Sequence, residues 1–213
     1  MIIDHVGVMI FPSIIWLRCL GRISLPIFAY MISEGCQYTR NPKKYFFRIF
    51  ILGVLCQAVY LFAAGTLYLS TVVSFSFSVL AIFFIKNGSA SKETRGRVLY
   101  FIAFSLLALL MLFLLFPPKF MAPYGLVLDY GIFPFLIPIV LYFLKSKELR
   151  ILALIPLLYL LSLSYDFEQL FSFAAIPVLS LYNGERGKKD LKYFFYIAYP
   201  LHLGLIFIFS MFI

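Results

Sequence analysis

The sequence predicts an all-α fold. It reads as a polytopic transmembrane bundle of about nine helices (eight to ten), N-terminus in the cytoplasm, forming a single domain over residues 1–213. Three observations carry this. First, 63% of the 213 residues are apolar and 13% charged, with a mean hydropathy of +1.00 and with 26 Phe and 15 Tyr. A soluble domain carries about a quarter charged residues and just under half apolar ones. This chain has too little polar surface to face water, which excludes a soluble enzyme. Second, apolar runs recur at lengths near the roughly 20 residues that cross about 30 Å of hydrocarbon. Third, basic residues cluster on alternate connections.

Taken in order, the runs are Ile2–Leu17, Ile23–Cys36, Tyr45–Ala64, Leu67–Ile85, Val98–Phe116, Gly125–Leu144, Leu149–Ser164, Phe167–Tyr182 and Tyr193–Ile213. The first opens without an apolar lead-in, because Asp4 and His5 stand at its start. With Arg18 they also break the plain apolar core that a cleavable signal requires. Between the second and third runs, Asn41-Pro42 ends one helix and opens the next. The first two runs, the seventh and the eighth are short for a crossing, so one or two are expected to be tilted or re-entrant. Asp129-Tyr130-Gly131 falls in or at the outer end of the sixth run. A turn there leaves backbone groups that need partners, and the mouth of an outer pocket is the expected place for it. Tyr182-Asn183-Gly184 reads as a cytoplasmic turn.

The connections sort by charge. Arg40, Lys43, Lys44 and Arg48 flank the second, and Lys86, Lys92, Arg95 and Arg97 the fourth. Lys145, Lys147 and Arg150 mark the sixth, and Arg186, Lys188, Lys189 and Lys192 the eighth. Only Arg18, Arg22 and Lys119 of the 18 basic residues fall elsewhere, while the seventh connection carries Asp166 and Glu168. The positive-inside rule then puts even-numbered connections in the cytoplasm. It also accounts for the net charge of +9 without a nucleic-acid partner. Cys19, Cys36 and Cys56 match neither a CxxC pattern nor an even disulfide framework, and read as small apolar residues. The two halves of the chain do not superimpose as repeats, which weighs against a transporter.

Ionisable groups at membrane depth cost about 2.5–3.5 kcal/mol on insertion scales, so they usually pair inside a bundle and mark a site. The candidates are Asp4, His5, Arg18, Arg22, Glu34, Asp129 and His202. His202 lies well inside an otherwise uncharged run, whereas Arg18 has equal claim to a place at the headgroups. Adjacent helical residues point about 100° apart, so Asp4 and His5 face different partners, one option being Asp4 on an arginine and His5 on a substrate. A histidine in a dry cavity can serve as a general base near neutral pH. Two histidines without CxxC or HExxH spacing are too thin a ligand set for a metal. The Arg40–Arg48 cluster reads first as a cytoplasmic anchor; the same cations could hold the phosphates of a nucleotide-like cofactor.

These residues also resemble a known family. Ile3-Asp4-His5-Val6-Gly7, the run Gly21-Arg22-Ile23-Ser24-Leu25-Pro26-Ile27-Phe28-Ala29, and Glu34-Gly35 followed by Thr39-Arg40-Asn41 and Lys44-Tyr45 are similar to the opening of the TraX family. Asp129-Tyr130-Gly131, Leu181-Tyr182-Asn183-Gly184, and Lys192–Tyr196 running into Tyr199-Pro200-Leu201-His202 resemble its middle and end. The matches occur in order over nearly the whole chain. The Asp-His start and the Tyr-Pro-x-His end are the most specific.

The family is named for a conjugation protein that acetylates the N-terminal amine of F-type pilin. It is similar to a wider set of multi-spanning membrane acyltransferases that draw acetyl groups from acetyl-CoA. The resemblance implies an acetyltransferase of a bacterial plasma (inner) membrane, with His5 as base or acyl relay and Arg22, with Arg18, as electrostatic support. Arg40, Lys43, Lys44 and Arg48 are the expected contacts of the donor's phosphates. Glu34, Asp129, Tyr130, Tyr199 and His202 are further polar candidates, most of them in family motifs without an assigned role. The expected acceptor is an amine or hydroxyl on a pilin, a glycan or a lipid headgroup. A small-molecule permease using the same buried charges is the alternative, and a scaffold of packed polar residues a third possibility.

Overall fold

In a computed structural model the chain is described at residues 1–119, 124–185 and 192–212. Of the residues singled out above, Arg186, Lys188, Lys189 and Ile213 lie outside these. The described chain is mostly helical. It forms two compact units: the first is Met1–Phe28 with Leu144–Ile213, the second Ala29–Phe143.

Among the described residues, four helical stretches are long and apolar enough to cross a membrane: Ile15–Tyr38, Pro42–Phe62, Thr71–Ala90 and Thr94–Leu115. Phe133–Phe143, Phe167–Ser180 and Tyr196–Ser210 are shorter apolar helices. The lipid-facing character shows on α6 (Thr94–Leu115), where Leu99, Ile102, Leu106, Leu109, Leu112 and Phe113 are all exposed. Water would not tolerate such a surface, and hydrocarbon does.

Two expected spans are cut differently. Helix α1 stops early (Ile2–Met9), the chain turns through residues 10–14, and α2 runs Ile15–Arg22 into α3, Ser24–Tyr38. Pro12 explains the break, since it has no N–H to donate and disfavours helical backbone at Phe11 before it. The other change is in the sixth run. Its helix, α7, covers only Phe133–Phe143, because Tyr130 (φ 55°) and Gly131 (φ 56°) both take left-handed backbone just before it.

In the first unit α1 and α2 pack closely. A Cβ added at Gly7 would lie 2.9 Å from the Cβ of Leu17. Helix α8 (Lys147–Leu163) starts at a Ser146 cap whose hydroxyl accepts from the Leu149 N–H at 3.2 Å. Its Leu154, Leu158 and Leu161 form one buried stripe at helical spacing. A 3-10 helix (Phe167–Ala174), α9 (Ala175–Ser180) and α10 (Lys192–Ser210) complete this unit. Lys147 Nζ donates to the carbonyls of Ser180 and Tyr182 at 2.6 and 2.5 Å, satisfying the end of α9.

The second unit is built around α5 (Thr71–Ala90), most of which is buried. Before it, α4 (Pro42–Ala64) shows a full set of end signals. Asn41 Oδ1 accepts from the Lys44 N–H at 3.0 Å, Pro42 occupies the first turn, and Gly65 at φ 63° closes the end. A two-residue parallel ladder joins β1 (Tyr68–Leu69) to β2 (Val127–Leu128). Ala81, Leu107, Met111, Leu128 and Phe135 form a core. Pro138 cannot donate to the Pro134 carbonyl one turn earlier. The Ser78 hydroxyl reaches that carbonyl instead, at 3.0 Å, and that of Phe135 at 2.9 Å.

Candidate functional site

The first unit brings together Asp4, His5, Arg18, Arg22, Tyr199 and His202, each within contact of at least one other polar or aromatic group of that unit. Asp4 and His5 are neighbours on α1, and the helical turn between them sends them to different helices. Asp4 faces α2. Its Oδ2 lies 3.5 Å from Arg22 Nη1, with both side chains largely buried, and Gly21 sits directly against it. His5 faces α10. Its Nδ1 lies 3.2 Å from Nε2 of His202, which is 7% exposed.

His202 is held in turn from its other nitrogen. Its Nδ1 is 2.9 Å from the carbonyl oxygen of Ala198, one helical turn back. The Tyr199 ring meets the imidazole edge-on at 80°, with centroids 5.4 Å apart, and Phe28 packs against Tyr199 at 6.4 Å. The Tyr-Pro-x-His element therefore supplies both a ring and the aromatic wall that fixes its plane.

Arg18 is placed against Glu168, at 4.0 Å. By charge counting Glu168 is only an acidic residue of a connection, yet its side chain is 16% exposed and lies at the start of the 3-10 helix. Gln169 (1% exposed) and Ser172 (fully buried) follow on one edge of that helix, where residues three apart eclipse. The signal was available in the polar Glu168-Gln169-x-x-Ser172 spacing inside an apolar run. Asp4 Oδ1, Arg18 Nε, Glu168 Oε2, Gln169 Nε2 and Ser172 Oγ have no hydrogen-bond partner among the described residues. Buried polar atoms are satisfied in the great majority of cases, and in the second unit Ser33 Oγ, Gln57 Nε2, Ser70 Oγ and Ser74 Oγ likewise lack a partner among the described residues.

The remaining candidates belong to the second unit. Arg40, Lys43, Lys44 and Arg48 are all exposed at the start of α4, with Lys44 and Arg48 one turn apart on the same face. No ion pair to a carboxylate is formed by these four among the described residues. Four such cations suit polyphosphate or lipid headgroups. Glu34 is buried on α3. Asp129 accepts from the hydroxyl of Tyr68 at 2.6 Å and from that of Thr71, while its N–H donates to the Leu69 carbonyl at 3.0 Å. It ties the turn carrying Tyr130 to the start of α5. The three cysteines are free and buried. No group of three or more His, Cys, Asp or Glu able to hold a metal occurs among the described residues.

A helical membrane protein with a part-buried histidine pair and flanking arginines is the class these features define. The family model described as TraX protein matches residues 1–210, and the chain belongs to the TraX family. One relative is a probable fimbrial assembly protein, FimC of serogroup H1, from Dichelobacter nodosus. It is 28% identical over 97% of this chain and 89% of its own length. An uncharacterised protein of Rickettsia prowazekii is 37% identical over 27% of this chain and 21% of its own. No solved structure matches.

Proposed function

We propose that this protein is a multi-pass acetyltransferase of a bacterial plasma membrane, carrying an acetyl group from acetyl-CoA to an amine or hydroxyl acceptor. The observation that carries the reading is the His5–His202 contact on α1 and α10, with the Asp4–Arg22 pair on the adjoining face of α1. Membership of the TraX family supports the reaction class. The fimbrial-assembly name of the Dichelobacter relative puts a pilus subunit's N-terminal amine first among acceptors, with a glycan or lipid headgroup as the others. The distribution of Lys and Arg supports about nine crossings with the N-terminus in the cytoplasm.

In this reading the acceptor nitrogen or oxygen attacks the thioester carbonyl, the new C–N or C–O bond forms, and the C–S bond breaks. His5 takes the acceptor's proton and returns it to the departing sulfur. Arg22, held by Asp4, stabilises negative charge on the carbonyl oxygen in a site with little water, and Arg18 adds to the positive field. Arg40, Lys43, Lys44 and Arg48 bind the donor's phosphates.

The test is release of free thiol from acetyl-CoA by the purified full chain in lipid nanodiscs, with and without a peptide bearing a free N-terminal amine. The expected result is acceptor-dependent release. Gln at Arg40, Lys43, Lys44 and Arg48 together should raise KM for acetyl-CoA more than it lowers kcat. Absence of acetyl-CoA binding by the folded wild type would sink the reading in favour of a permease.

A further inference from the structure

We propose that the Arg18–Glu168 pair holds the acceptor, with Glu168 Oε2 accepting an N–H of its amine and Arg18 Nε donating to a carbonyl beside that amine. The role rests on the acetyltransferase reading, and the placement rests on packing within the first unit. Arg18 and Arg22 stand four residues apart, so they share a face of α2 one turn from each other. That face meets α1. Asp4 lies against Gly21 and Arg22, and a Cβ on Gly7, three residues further along α1, would fall 3.3 Å from Arg18 Cγ. Asp4 is also within electrostatic range of both Arg18 and Glu168. The Arg18–Glu168 pair is therefore the next layer of the same contact, one turn along α2 from the Asp4–Arg22 pair.

The edge of the 3-10 helix that turns to α2 is fixed twice. Residues 168 and 171 eclipse. Glu168 faces Arg18 at 4.0 Å, and Phe171 meets Trp16 edge-on with ring centroids 5.9 Å apart. At that separation the pair is held by charge without a hydrogen bond. Arg18 Nε and Glu168 Oε2 are covered from solvent, and neither has a hydrogen-bond partner among the described residues. A lone serine hydroxyl on a helix can turn to the carbonyl one turn back. A carboxylate oxygen can only accept and a guanidinium N–H can only donate, so each waits for its complement. An amine next to a carbonyl brings both. A phosphate brings acceptors alone and is repelled by the carboxylate, which keeps the donor's phosphates out of this place. The two charges cancel, so an uncharged amine, the nucleophilic form, adds no net charge at membrane depth. With side chains 28% and 16% exposed, the pair is open to a ligand at the margin of the unit.

The probe is a short peptide amide with a free N-terminal amine and neither lysine nor acidic residues. It is added to the full chain in phosphatidylcholine nanodiscs with a membrane-permeant carbodiimide and no acetyl-CoA. Carbodiimide activates a carboxyl group, and an amine held against it forms the new C–N bond as the urea leaves. Mass spectrometry should find the peptide joined to Glu168, and the N-acetylated peptide should not join there. Under turnover, Glu168→Gln should raise KM for the peptide about 10-fold, with kcat and KM for acetyl-CoA kept. Arg18→Lys keeps the ion pair and removes Nε; it should raise the same KM, and it serves if the glutamine variant does not fold. Peptide joined elsewhere and not to Glu168 would overturn the proposal. So would a folded Glu168→Gln protein with wild-type KM for the peptide. Lack of acetyl transfer by the wild type would strike the functional reading and leave the coupling at Glu168 as it is, so the two failures are distinct.

Discussion

Gly21 of α2 lies directly over Asp4 of α1: a Cβ on Gly21 would fall 2.2 Å from the Cβ of Asp4 and 2.7 Å from its Cα. Backbone sits on the far side of that contact, so it cannot be relieved by turning a flexible side chain. The glycine is what lets Asp4 reach Arg22, its neighbour in sequence. We expect Gly21→Ala to push α1 away from α2, to cost about 1–3 kcal/mol, and to lower activity with it. Gly204→Ala is the control, because nothing lies within 4 Å of a Cβ there. Thermal unfolding of the two variants should separate them clearly.

The Asp4–Arg22 pair should behave as a buried ion pair. Its side chains are 14% and 12% exposed. Asp4→Asn removes the negative half of a largely buried pair and should destabilise by about 3–5 kcal/mol. Asp4→Asn with Arg22→Gln should cost less than the two single changes summed. Additive losses in unfolding experiments would mean the two groups are not coupled. The Arg18–Glu168 pair is longer and its arginine more exposed, and Glu168→Gln should have the smaller effect.

Asp129 should be a structural clamp. Tyr68 and Thr71 both donate to it, and each loses its acceptor in Asp129→Leu. The expected loss is about 2–5 kcal/mol, with Tyr68→Phe near 1 kcal/mol. Acetyl-transfer chemistry by the folded fraction of Tyr68→Phe should match the wild type. A selective fall in its kcat, with stability kept, would move Asp129 from the scaffold into the reaction.

Ser78→Ala should expose the cost of Pro138. The Pro134 carbonyl loses the hydroxyl that stands in for the missing helical N–H, and about 1–2 kcal/mol should be lost. Restoring an N–H with Pro138→Ala in the same chain should return part of it. Unfolding midpoints of the single and double variants check this.

Much of the fold was legible because composition and punctuation are local. Asn41-Pro42 and Gly65 mark the ends of α4 within the chain itself, and the apolar run of α6 needs no tertiary information. The break at Pro12 was equally local, yet the unbroken hydropathy on both sides outweighed it. Tyr68–Leu69 and Val127–Leu128 could not be read as a ladder, since their pairing depends on residues far apart in sequence. At the site, the sequence could place Asp4 and His5 on different faces. It could not say that His202 would meet His5, a contact spanning nearly the whole chain. Glu168 went unnoticed as a partner for the same reason, because charge counting treats a loop acid and a buried one alike.

If His5 and His202 act as one unit in acetyl transfer, a kinetic cycle of wild type, His5→Ala, His202→Ala and the double variant, with acetyl-CoA and an acceptor amine in nanodiscs, will show it. We expect His5→Ala to lower kcat by about 10²–10⁴-fold and the double variant to be no worse than His5→Ala alone. Turnover untouched by His5→Ala, or a double variant that loses the product of the two single effects, would contradict it.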